Sequence, residues 1–350
     1  MSCMPYYATD ENTALIPSEP AIRRRVESGV ASLLAALGHT EVAIPTMQSY
    51  DPEAPAPIRE MMDAGYKLVG PGAEVVVLRH DLTEAAAAIA QGELASSPRP
   101  LKLFYSGTVF RPPHPAEWSI ATSPWERGAI ETQQLGAEIF GGQGRSTDVA
   151  AAVALARCLS ITGISDFQIR IGHMGALEAV TDVLELNVPG KVQLGSALLR
   201  HDMVAVSRMI AASSVHGSDC ELIRNMLFFP SGDSALADAH ALARLDQSGR
   251  LHEAIRDIHA VLAGLACCDM RDHAVVDLGL VRRLAYYTGT VFEAFTPGCP
   301  APIAGGGRYD GLLRLMGSSE PAVGFAVELD RIVGICTKAT AQSRNGGMSR

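Results

Sequence analysis

The stretch Leu280-Val281-Arg282-Arg283-Leu284-Ala285-Tyr286-Tyr287-Thr288-Gly289-Thr290-Val291-Phe292-Glu293-Ala294-Phe295 decides how the rest of the chain is read. It follows the apolar run Ala274 to Leu280, which has the length and composition of a buried strand. It closes in a second β-rich run, Thr290 to Phe295. Between them a guanidinium, Arg282, and two phenols, Tyr286 and Tyr287, fall on what reads as a strand pair. Taken alone, this is a core hairpin whose tyrosine hydroxyls face water. Shortly after it comes Ala304-Gly305-Gly306-Gly307-Arg308-Tyr309-Asp310-Gly311. Consecutive glycines let backbone approach a ligand closely and adopt positive φ.

The composition narrows the class. A chain of 350 residues can bury a large core, as one big domain or two ordinary ones. No apolar run approaches the roughly 20 residues of a membrane span, and the first residues lack the basic-then-apolar pattern of a secretion signal. Seven scattered cysteines without a C-x-x-C pair read as reduced thiols of a cytoplasmic protein. Ten histidines show no metal-ligand spacing, so neither metal nor cofactor is expected. A formal charge of −9 argues against extended binding to a phosphate backbone.

Outward from the opening stretch, periodicity supplies the elements. Residues 1–18 are polar and read as an extended arm. Glu19 to Leu37 reads as a helix with Ile22, Val26, Val30, Leu33 and Leu37 on one stripe, ended by Gly38. Arg23, Arg24 and Arg25 fall mostly off the stripe, on a solvated face. Thr40 to Pro45 is a short strand. Val75 to Arg79 is a buried strand, followed by His80-Asp81-Leu82-Thr83 and an alanine-rich helix to Gln91. Thr83 is placed as that helix's N-cap, with Asp81 at its positive end. Leu101 to Arg111 alternates as a strand. In Glu131 to Gly141 the spacing of Gln134 and Glu138 puts both on one strand face. Glu178 to Asp269 is mostly helical, with a stripe at Ala254, Ile255, Ile258, Val261 and Leu262 and no sign of chemistry. Thr337 to Arg350 is polar and reads as a disordered tail.

Together these stretches resemble histidyl-tRNA synthetases. Tyr286 to Glu293 and Ala304 to Leu312 match their two histidine signatures, and Leu78 to Thr83 and Gln134 to Gly141 match further pocket segments. The resemblance implies an α+β class II fold, an antiparallel sheet flanked by helices, over residues 19–335, with a helical insertion at about 178–269 and a tail at 336–350. It also implies roles. Asp81 and Thr83 would hold an α-ammonium, Gln134 and Glu138 an imidazole, and Arg282 a carboxylate. Tyr286, Tyr287 and Tyr309 would line the ring, while Arg111 and Arg331 would meet ATP phosphates and Arg111 also the amino-acid carboxylate.

The departures matter as much. Pro112-Pro113 follow Arg111 where the synthetases carry a glutamate two residues on, and Arg283 and Ala285 replace a glycine and an aspartate. Glu328 stands where they have glycine, and the chain leaves no room for an anticodon-binding domain. With a histidine pocket kept and ATP motifs eroded, the chain resembles the regulatory subunits of ATP phosphoribosyltransferase. That implies no catalysis of its own, L-histidine as effector, and a short-form catalytic subunit as partner. It further implies a homodimer within a hetero-oligomer, and neither nucleic acid nor membrane. The alternative reading is a stand-alone enzyme that adenylates histidine or an analogue for transfer to an acceptor other than tRNA; a shortened synthetase is a third.

Overall fold

A computed structural model describes residues 19–63, 65–111, 131–142, 144–228, 233–282 and 287–346. Helix α1 (Glu19–Ala36) buries Ile22, Val26, Val30 and Leu34, with Leu33 and Leu37 packed half-buried beside them. Gly38 ends it at φ +84°, and the amides of Gly38 and His39 close back on Ala35 and Leu34. That double closure is how a left-handed glycine satisfies the last carbonyls of a helix. There follow β1 (Thr40–Glu41), β2 (Met47–Ser49), α2 (Ala56–Asp63), β3 (Lys67–Val69), β4 (Val75–Leu78) and α3 (Thr83–Gln91). The long strands β5 (Leu101–Phe110) and β6 (Glu131–Phe140) come next, then α4 (Arg145–Ile161) and β7 (Gln168–His173).

Six helices fill the stretch after β7: α5 (Met174–Val183), α6 (Val188–Leu199), α7 (Met203–Ala211), α8 (Ser218–Phe228), α9 (Asp233–Leu242) and α10 (Arg250–Ala266). The chain then returns through β8 (Ala274–Val276), β9 (Thr290–Thr296), β10 (Cys299–Arg308), α11 (Asp310–Leu315), β11 (Ala322–Glu328) and α12 (Leu329–Gly346). The predicted stripe on α10 is buried, with Leu251 and Leu265 extending it.

Eight strands form one sheet in the order β1-β5-β6-β11-β10-β9-β7-β8, antiparallel except for the parallel edge pairs β1–β5 and β7–β8. This is the expected α+β architecture, with a small separate sheet β2-β4-β3 beside it. The register gives the large sheet two unlike faces. One cross-strand row reads Phe104, Ala137, Phe325, Gly306, Phe292, Ile171, Val276, and the next Leu135, Val327, Ala304, Ala294, Ile169, Ala274. Apart from Gly306, these residues join one core with α1, α4, α10 and α12. Side chains alternate along a strand, so the opposite face carries Leu103, Glu138, Gly324, Gly307, Val291, Gly172 in one row. The neighbouring row is Tyr105, Gly136, Ala326, Gly305, Glu293, Arg170. A second, smaller core under α3 and α11 closes part of that face, with Leu82, Ala86, Leu103, Tyr105, Tyr309 and Leu313.

Several expectations change: the strand read as Thr40 to Pro45 spans only Thr40–Glu41, and in β4 only Val77 is buried, with Val75 37% exposed. The run Ala274 to Leu280 stays a strand only to Val276, because Asp277 turns the chain: its carbonyl accepts from Leu280 and its side chain from Gly279. Helix α12 continues past residue 335 into the stretch read as a disordered tail, to Gly346. Ile335 and Cys336 pack on the core and Thr337 is buried, so apolar contact carries the helix onward. Arg23, read as solvated, pairs with Asp330 at 2.6 Å and donates to Gln133 at 2.9 Å, tying α1 to α12 and β6.

Candidate functional site

The glycine-bearing face of the sheet is where chemistry-bearing side chains collect, and the glycines make that possible. A methyl group built on Gly324 would lie 1.5 Å from a Glu138 carboxylate oxygen. On Gly136 it would meet the Tyr105 ring at 2.6 Å, and on Gly305 the Arg282 guanidinium at 1.9 Å. Gly307 sits at φ +151°, outside the range of ordinary side chains, against Tyr287. Polar side chains therefore lie flat on bare backbone, where any larger residue would lift them off.

Glu138 is the centre. It is 1% exposed, and its two oxygens accept from the hydroxyls of Tyr105 (2.7 Å) and Tyr309 (2.6 Å). Burial pushes its pKa from 4.5 up to about 7, although hydrogen bonds from Tyr309, Tyr105 and Thr83 oppose the shift. The Tyr105 phenol, fully enclosed beside that carboxyl, is held well above its ordinary value, first by burial. The Thr83 hydroxyl lies 3.3 Å from the Tyr105 hydroxyl. A buried carboxyl that titrates near neutrality is matched to an imidazole, whose own pKa is about 6.5.

Asp81 links this centre to a second group. Its carboxylate accepts from the Thr83 amide at 2.6 Å, while Leu82 is the N-cap of α3, without a side-chain cap, and Thr83 is that helix's first residue. Thr83 is therefore not the N-cap expected: Leu82 takes that place in a helical conformation, and the Thr83 hydroxyl lies toward Tyr105. Asp81 also makes itself felt at Glu138, Tyr105 and Tyr287, raising the pKa of each. On its other side Arg111 approaches to 4.0 Å. Arg111 also faces Glu328 at 3.6 Å and donates to the His80 carbonyl at 2.9 Å. Gln134, opposite Glu328 in the ladder, donates to that carboxylate at 2.7 Å. Buried Arg79 fixes this corner by reaching back to the carbonyls of Thr108 and Ile44, which brings the loop before α3 against the end of β5.

Arg282 completes the arrangement from the side of the opening stretch. It donates to Glu293 at 3.0 Å and lies over the Tyr287 ring at 5.5 Å. Asp81, Thr83, Glu138, Arg282, Tyr287 and Tyr309 thus come together, with Arg111 and Gln134 alongside. Tyr286 lies outside the described residues. Arg331, on the first turn of α12, donates instead to the Pro302 carbonyl, and no hydrogen bond or ion pair joins it to Arg111, Gln134 or Glu138.

Tyr105 and Glu293 were missed. Each is an aromatic or acidic residue at an ordinary strand position, and only the cross-strand register brings it to the site; alternation with Leu103 and Gly107 was the one signal for Tyr105. Among the described residues no cluster of three or more histidine, cysteine or acidic side chains could hold a metal ion.

The chain matches the histidyl-tRNA synthetase family over residues 13–332. It is 32% identical over 342 residues to the ATP phosphoribosyltransferase regulatory subunit of Symbiobacterium thermophilum, spanning 95% of this chain and 79% of that protein. To the regulatory subunit of the same name from Anaeromyxobacter dehalogenans it is 33% identical over 325 residues, 90% of this chain and 87% of that one. Among solved structures, the fold is similar to an ATP phosphoribosyltransferase regulatory subunit/histidyl-tRNA synthetase from Bacillus halodurans. That likeness has a TM-score of 0.80 at 24% identity over 95% of this chain and 84% of the other. A histidyl-tRNA synthetase from a Nostoc species gives 0.75 at 20% identity, over 93% and 74%. On these matches the chain belongs to the histidyl-tRNA synthetase-like family of ATP phosphoribosyltransferase regulatory subunits.

Proposed function

We propose that this chain binds free L-histidine on its glycine-floored face and thereby controls a short-form ATP phosphoribosyltransferase catalytic subunit, at the first step of histidine synthesis. The observation that carries the reading is the Glu138 carboxyl, buried between Tyr105 and Tyr309 with Asp81 beside it. One carboxyl suits a ring nitrogen and the other an ammonium, so the pair selects an imidazole-bearing amino acid. The same subunit catalyses nothing itself. Adenylation would need arginines available to phosphate, whereas Arg111 already faces two carboxylates and Arg331 a backbone carbonyl. Glu328 adds negative charge where a triphosphate would lie, which is unfavourable without a bridging metal.

Calorimetric titration with L-histidine tests the binding step. The wild-type protein should bind and Glu138→Gln should bind about 10- to 100-fold more weakly, the range expected for losing one charged hydrogen bond. Absence of binding at millimolar histidine would remove the basis of the proposal. Histidine-dependent exchange of pyrophosphate into ATP should be absent; exchange at ordinary synthetase rates would favour the adenylating enzyme instead.

A further inference from the structure

The site holds more acid than base: Asp81, Glu138, Glu293 and Glu328 against Arg111 and Arg282. Both guanidinium groups already have protein carboxylates as partners. Arg111 is shared between Asp81 and Glu328, while Arg282 has Glu293. A ligand's carboxylate therefore meets Arg282 only in competition with Glu293.

The geometry around Glu293 makes that competition reversible. Glu293 stands on β9 directly opposite Gly305 on one side and Arg170 on the other. Arg282 reaches it across the bare backbone of Gly305, and the two side chains are each 20% exposed, near enough to solvent to exchange partners. Arg170, which pairs with Asp277 at 3.5 Å, lies next to it and offers a released Glu293 carboxylate a second cation. A carboxylate that leaves Arg282 is thus not stranded, which keeps the cost of displacement small.

We infer that Glu293 is a specificity-determining residue: its carboxylate occupies the Arg282 guanidinium as an internal substitute for the ligand's own, so the site recognises the imidazole and ammonium ends first. The inference rests on the proposed histidine site. Ligand carboxylate gains only the difference between its own pairing with Arg282 and that of Glu293. An imidazole-bearing amine without a carboxylate should then bind nearly as well as the amino acid.

The test compares L-histidine with histamine by calorimetry on wild type and Glu293→Gln, with thermal melts to confirm folding. Wild type should bind the two within about threefold of each other. Glu293→Gln, which removes the competing charge and keeps the shape, should bind histidine about tenfold more tightly and histamine unchanged. Glu293→Asp, with a shorter reach, should give a smaller gain of the same sign and serves if the glutamine variant does not fold. Equal changes for both ligands, or weaker histidine binding, would overturn the inference and leave the histidine site intact. No binding of either ligand to wild type would overturn both.

Discussion

Glu138 takes its character from neighbours that are far away in sequence, and its titration follows. Its folded pKa is raised from 4.5 to about 7. A raised value means its contribution to stability is full below pH 4.5 and is lost as pH rises through about 7, when a buried carboxylate must form. Histidine, bound as proposed, should reverse that loss by bringing an imidazole to share the proton. With an imidazole near 6.5 and a carboxyl near 7, the pair holds one proton between them only around neutrality. Histidine affinity should therefore peak between about pH 6.5 and 7 and fall on both sides, measured by titration across pH 5 to 9 with parallel runs on Glu138→Gln. A flat profile would contradict the pairing. His39 works in the opposite sense: burial and Lys102 lower its pKa to about 4, so the stability of its neutral form is lost as pH falls below 6.5. Glu138 was legible in the sequence through its segment, because a carboxylate at that strand position matches a known pocket. Tyr105 was not, since a tyrosine alternating with leucine on a strand reads equally as core. The shift of the α3 cap from Thr83 to Leu82 was illegible for a different reason: one-residue shifts in a cap depend on the local backbone conformation.

Strands β6, β10 and β11 set the depth of the site, and glycine is their means. The run Gly305 to Gly307 was read as backbone open to a ligand; it lies inside β10, paired on both sides, and only Gly307 has a positive φ. The strand period that located β5 and β6 could not show this, because glycines carry no alternation. Gly324→Ala places a methyl 1.5 Å from Glu138 and 2.6 Å from the Ala137 carbonyl. It should cost about 1–3 kcal/mol of stability, as overpacking does, and abolish histidine binding. Gly195→Ala, inside exposed-edge helix α6 with no atom within 4 Å of the added methyl, should stabilise the protein by about 0.5–1 kcal/mol. Chemical denaturation of both variants checks the pair; equal effects would mean the floor is not tight. The helices were legible from their stripes, whereas α12 outran its expected end because buried Thr337 lies beyond the sequence's last apolar cluster.

One large core lies against the sheet's apolar face, and a second, smaller one closes part of the site face. Residues of the sheet's apolar rows and of helices α5 to α10 belong to the same buried cluster, so a shift on the site face is resisted by close packing across the fold. Such cores change between discrete arrangements, which is what a ligand must bias to act at a distance. Coupling of this kind is about 1–3 kcal/mol and is reciprocal for binding. Glu138→Gln should therefore weaken histidine's effect on a catalytic partner in step with its roughly 10- to 100-fold weaker binding while leaving complex formation intact, by activity titration and sizing chromatography. The fold class was legible through the resemblance of a few stretches to histidyl-tRNA synthetases, with periodicity supplying many of the elements; the meeting of Arg111 with Glu328 was not, because it depends on β5 and β11 flanking β6. The decisive measurement is the turnover of a short-form ATP phosphoribosyltransferase catalytic subunit mixed with this protein, with and without L-histidine. Turnover should rise when the two proteins associate and fall when histidine is added; a rate unchanged by the protein, or by histidine in its presence, would contradict the account.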